Sequence, residues 1–64
     1  MKLEMYQKIR LNDDRVGHII KIFNDGEGYM VDIKLDDGEY EQETVTPMDI
    51  KSVVVEIEKP FAIA

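Results

Sequence analysis

The chain has 64 residues and no cysteine, which sets the domain count at one and excludes both a disulfide framework and a thiolate metal site. Its 14 acidic and 8 basic residues leave a formal charge of −6, which argues against nucleic acid as the main partner, because phosphate binding needs a surplus of Lys and Arg on one face. A domain this small buries only about 60% of the surface its unfolded chain exposes, so its stability must come from its core, from closing its sheet or from a partner subunit.

The N-terminal stretch, residues 1–7, mixes charge with Leu3, Met5 and Tyr6. It lacks the uninterrupted apolar run of a signal peptide. No later stretch approaches the roughly 20 apolar residues that span a bilayer. No membrane is therefore expected, and the cytoplasm is the default location. Residues 8–11, Lys-Ile-Arg-Leu, alternate polar and apolar with the period of a half-buried strand. Asn12-Asp13-Asp14 is a turn cluster, since short polar side chains bond nearby backbone groups.

A second strand is expected over 16–23, with Val16, His18, Ile20 and Ile22 on one face and Gly17, Ile19, Lys21 and Phe23 on the other. Both faces are partly apolar, so this strand reads as central or strongly bent. Gly17 permits a bend or the close approach of another backbone. Residues 24–28 hold Gly26 and Gly28 and no apolar side chain, and form a hairpin loop with left-handed positions available.

Tyr29, Val31, Ile33 and Leu35 then alternate with Met30, Asp32, Lys34 and Asp36, the cleanest period-2 pattern in the chain. Asp36-Asp37-Gly38 is a second hairpin turn, with Gly38 supplying the turn glycine. A more polar strand follows over 39–46, with Tyr40, Gln42 and Thr44 opposite Glu41, Glu43 and Val45. Pro47 suits the first position of one 3₁₀ turn before the last strand. Thr46 and Asp49 complete a capping-box pattern around it. The last strand is expected over 52–58, with Val53, Val55 and Ile57 on one face, and residues 59–64 form an apolar tail.

The order of elements is that of a five-stranded, all-β, SH3-like antiparallel barrel with one short 3₁₀ turn before the last strand. Residues 13–22, centred on Gly17, also resemble the glycine-centred hairpin of KOW-type and related SH3-like domains. Residues 29–33 and 44–50 are similar to short bacterial domains of unknown function. Together the resemblance covers roughly residues 8–55. It implies one barrel domain over 1–64 with its core at about 7–58. A KOW-type relationship would imply contact with RNA, yet the basic residues that make such contacts are sparse here.

Several side chains invite a chemical reading. His18, the only histidine, could act as a base, a metal ligand or a pH-sensitive contact, but a lone His with no Cys beside it reads as an ordinary strand residue. Asp25, Glu27, Asp36, Asp37 and Glu39 gather at two loops and could offer oxygens to a hard cation. Their spacing matches no calcium loop, so turn chemistry is the simpler reading. Glu39, Glu41 and Glu43 make an acidic ladder that Lys34 or Lys51 could offset. That ladder is either a landing site for a basic partner or a guard against edge-to-edge pairing. Tyr29 belongs to the core; Tyr40 and Phe23 could be exposed and line a peptide groove, but core or barrel rim is the simpler role for the aromatics. Ser52 has no strained-turn context, and the Gly26–Gly28 loop is too short and acidic to cradle a phosphate.

No catalytic residue, metal ligand or cofactor is therefore assigned. The reading is a small non-catalytic protein-interaction module, with Glu39, Glu41, Glu43, Tyr40 and Phe23 as candidate contacts and Gly17, Gly26, Gly28, Gly38 and Pro47 as structural positions. A basic toxin or phage protein is the kind of partner an acidic chain would neutralise. A nucleic-acid or ribosome accessory of KOW type is the alternative. A homodimer through a sheet edge or through the tail at 59–64 also stays open.

Overall fold

The structure, a computed structural model, describes residues 2–55. It contains five strands, β1 (Lys8–Leu11), β2 (Val16–Phe23), β3 (Gly28–Lys34), β4 (Tyr40–Val45) and β5 (Ile50–Val53), with a 3₁₀ turn at Pro47–Asp49. All neighbouring strands are antiparallel, in the order β4-β3-β2-β1-β5. The all-β content and the single 3₁₀ turn agree with the sequence pattern. Closure does not: no ladder joins β4 to β5 among the described residues, so the sheet is open with these two strands at its edges. The expected tail at 59–64 and the expected end of the last strand at 56–58 lie outside the described residues.

One core serves all five strands. Ile9 and Leu11 of β1, Ile19 of β2, Tyr29, Val31 and Ile33 of β3, Val45 of β4 and Ile50 of β5 are buried together, and Leu3 joins them from the N-terminal segment. Each fully buried aliphatic or aromatic side chain of this kind contributes about 1.5–3 kcal/mol. The alternation read from β3 decides which residues these are. Tyr29, Val31 and Ile33 point in, while Met30, Asp32 and Lys34 point out.

β2 breaks its own alternation. Ile19 pairs with Val31, but the next pairs are Lys21 with Met30 and Ile22 with Tyr29, so the register shifts between Ile19 and Lys21. This bulge moves the core face from odd to even positions. Ile19 is buried and Ile22 packs on the core, although simple alternation puts them on opposite faces. Gly17 lies before the bulge and answers a different need. A Cβ there would stand 2.6 Å from both the Asp32 carbonyl oxygen and Val31 Cγ1. Close backbone approach, one of its two expected roles, therefore explains Gly17, and the bend sits at the bulge.

Two hairpins share one design. Leu11 N–H donates to the Arg15 carbonyl and Leu35 N–H to the Glu39 carbonyl, each at 2.8 Å, enclosing three-residue loops. The middle aspartate of each loop accepts from the N–H two residues on, Asp13 from Arg15 at 3.2 Å and Asp37 from Glu39 at 3.0 Å. The third residue is left-handed in both, Asp14 at φ 74° and Gly38 at φ 89°, as three-residue hairpins require. The β2–β3 loop uses Asn24, Asp25 and Gly26 at positive φ. The left-handed positions expected in this loop are these three, and Gly28 is the first residue of β3.

Thr46 and Asp49 secure the 3₁₀ turn as expected. The Asp49 carboxylate accepts from the Thr46 N–H at 2.9 Å and from its hydroxyl at 3.1 Å. Asn12 Nδ2 donates to the Met48 carbonyl at 2.7 Å, tying the turn to the β1–β2 hairpin. β5 begins at Ile50, two residues before the expected start, because the turn delivers Ile50 directly opposite Leu11 in the core. Val53 packs on that core, whereas Val55 is 76% exposed rather than continuing the inward face.

Candidate binding site

Outward-facing residues of four strands line a groove of about 440 Å³ on the side of the sheet away from the core. Strand register builds it in two rows. In the first, Lys8 lies opposite His18, His18 opposite Asp32 and Asp32 opposite Gln42. In the second, Arg10 lies opposite Ser52 on one side and Val16 on the other, while Lys34 lies opposite Tyr40. Leu35 and Val54 complete the apolar part of the lining. Side chains directly opposite on one face stand about 4.5–5.5 Å apart at Cβ, so these groups form a continuous surface.

The groove carries Lys8, Arg10 and Lys34 against Asp32 and Asp36, with His18 at its centre. Within a chain of charge −6, it is a place where the sign is reversed. Arg10 Nη1 makes a long 3.4 Å bond to the Asp14 carbonyl, which leaves most of its five N–H donors directed elsewhere. The side chains of His18 and Lys34 have no hydrogen bond or ion pair among the described residues. Tyr40 is 61% exposed at the groove wall.

The acidic ladder behaves differently from its sequence reading. Glu41 pairs with Ile33 and Glu43 with Val31, so both lie on the core side of β4. Glu39 lies in the turn before β4. The offsetting cation is Arg15, rather than Lys34 or Lys51. Its Nη1 lies 2.8 Å from Glu43 Oε2 and 3.5 Å from Glu41 Oε2, and its Nε bonds Asp13 Oδ2 at 2.7 Å. Glu43 Oε2 is itself buried and meets Arg15 as an ion pair. Lys51 instead pairs with Asp14 at 3.0 Å.

These contacts set two pKa directions. Glu43 first, then Asp13, raise the Arg15 guanidinium above its ordinary value. The Arg15 backbone N–H, and then its guanidinium, hold the Asp13 carboxyl below the usual carboxylate value, against a smaller opposing effect of burial. Arg15 thus acts as a clasp from the β1–β2 hairpin to edge strand β4.

Of the candidate contacts, only Tyr40 lines the groove. Phe23 is half-buried, with Lys21 Nζ 5.3 Å above its ring. The loop carboxylates form no group of three or more metal-ligating side chains among the described residues. The basic groove and the Arg15 clasp were both missed from sequence. The signal for the groove was present, because Lys8, Arg10, His18 and Lys34 each alternate with core residues, but it needs the register to be read.

No family model matches the chain, and no curated protein or solved structure matches it either. The groove and the clasp therefore have to be interpreted on their own chemistry.

Proposed function

We propose that this protein is a non-catalytic protein-interaction module built on an SH3-like arrangement. The strand order, the 3₁₀ turn between β4 and β5 and the single core shared by five strands support that arrangement. The observation that carries the function is the open groove on the outer sheet face, with its mixed cationic and apolar lining. Its side chains suit recognition: Lys8, Arg10, Asp32, Lys34 and the exposed Tyr40 on strands, with aliphatic Val16, Leu35 and Val54 beside them. The acidic β3–β4 turn, with Asp36, Asp37 and Glu39 exposed, is the second charged surface and the one that suits a basic partner.

Charge reversal separates the two surfaces. The wild-type protein, an Arg10→Glu/Lys34→Glu variant and an Asp37→Lys/Glu39→Lys variant are each immobilised and exposed to native lysate. The reading expects a defined protein whose binding is reproduced with purified components and is lost in one variant only. Failure to reproduce any protein complex with purified components would overturn it. A low-salt gel shift with RNA tests the KOW-type alternative, since phosphate contacts are strongest there.

A further inference from the structure

We infer that the outer-face groove receives an extended acidic peptide, whose carboxylates seat on Arg10 and Lys34 and whose apolar side chains on the same side of the peptide lie against Tyr40, Val16 and Val54. This rests on the interaction-module reading and specifies its ligand. Charge is the first argument. Arg10 and Lys34 lie with Lys8 in one groove whose lining carboxylates are Asp32 and Asp36, while the chain as a whole is at −6. An anionic segment is attracted to this groove and repelled by the acidic surface around it, which confines it to one place.

Shape is the second argument. The groove is open and crosses strands, and its volume of about 440 Å³ lies within the usual range for ligand sites of about 300–1,000 Å³. Such a trough fits a chain segment in transit better than an enclosed small molecule. Its chemistry alternates as well, with charged and apolar positions interleaved. An extended peptide turns every second side chain to one side, so carboxylates and apolar groups two residues apart present that interleaved pattern to the groove. The Arg10 guanidinium offers a planar fork that matches a carboxylate in bidentate geometry.

A long nucleic acid suits the groove poorly. Every nucleotide brings a phosphate, but the basic surface ends at the turn bearing Asp36, Asp37 and Glu39. Few phosphates would find a cation, and counterion release would be small.

The test uses a labelled undecapeptide with glutamate at positions 2, 6 and 10, valine at positions 4 and 8 and serine elsewhere, so that both groups share one side of the extended chain. Controls are the same peptide with glutamines, the same with lysines, and an oligouridine octamer. Fluorescence anisotropy against the full chain reads the affinities. The glutamate peptide is expected to bind at least about tenfold more tightly than the glutamine peptide, and Arg10→Glu or Lys34→Glu to weaken it by about tenfold or more. Asp37→Lys, at the turn, should not weaken it. Circular dichroism checks folding, and Arg10→Gln and Lys34→Gln serve should a reversal fail to fold.

Absence of binding, tighter binding of the lysine peptide or oligouridine, or binding indifferent to the groove variants would each overturn the assignment. If the glutamate peptide fails while a purified partner is lost on substitution of Asp37 and Glu39, the interaction reading stands and only the groove's role falls.

Discussion

At Gly17 a missing side chain lets two strands meet. An added Cβ would fall 2.6 Å from the Asp32 carbonyl oxygen and from Val31 Cγ1. Both belong to β3, so neither can yield without moving the central ladder. Gly17→Ala should cost about 1–3 kcal/mol, read as a lower urea midpoint with an unchanged slope. Arg15 makes the opposite kind of contribution, through charge. Its side chain is 36% exposed, so solvent screening limits the loss in Arg15→Met to about 1 kcal/mol or less. That loss should shrink as salt is added. Asp13 supplies a pH signature. Its carboxyl titrates below the ordinary 3.8 in the folded protein, so the unfolded chain binds the proton more readily. The stability from this group is present above the ordinary value and is lost as pH falls through the lower folded one. Asp13→Asn should therefore flatten the melting-temperature profile at and below about pH 4, and an unchanged acid limb would remove Asp13 from the account.

Hairpins are where glycine identity matters at the level of elements. Gly26 sits at φ 113° in the β2–β3 loop, whereas Gly28 opens β3 with only ordinary contacts at 3.7 Å or more around a built Cβ. Gly26→Ala should cost about 1 kcal/mol or more, and Gly28→Ala should stay within about 0.5 kcal/mol of wild type. Paired thermal melts compare the two directly. This contrast marks a boundary of sequence legibility. The bounds of β1 and β2 follow from local alternation and turn residues, and the structure keeps both as read. Which of two loop glycines needs a left-handed backbone depends on where the ladder restarts, a property of pairing. The Ile19–Lys21 bulge is hidden for the same reason: Ile20 is as apolar as its neighbours, so no pattern shows that it is the extra residue.

For the whole molecule the open edge of β4 is the main liability. β4 pairs only with β3 among the described residues, and an unpaired edge recruits further strands. Glu41 and Glu43 resist this, because antiparallel pairing of two β4 edges about Gln42 would set Glu41 of one copy against Glu43 of the other. Replacing both with threonine should produce concentration-dependent oligomers in sedimentation velocity at protein concentrations where wild type shows a single slower species. The candidate site belongs to this scale too. Tyr40 was legible only as a possible contact, and Lys8, Arg10, His18 and Lys34 lie on three strands and become neighbours only through the register. The glutamates of β4 were legible as a charged ladder, while their pairing with Arg15 required the β1–β2 hairpin to lie beside the far edge strand.

Alternation of side chains along a strand is a local consequence of the extended backbone, and hairpin loops obey the local preferences of Asp, Asn and Gly. The amino-acid sequence by itself therefore determined the all-β class, the five strands, the capped 3₁₀ turn and most of the inward-facing residues. Register, bulge position, edge identity and the partner of each charge depend on strands distant in the chain meeting at particular pairs. Tertiary structure alone decided that no ladder joins β4 to β5 among the described residues, that Arg15 clasps Glu41 and Glu43, and that an acidic chain gathers Lys8, Arg10 and Lys34 in one groove.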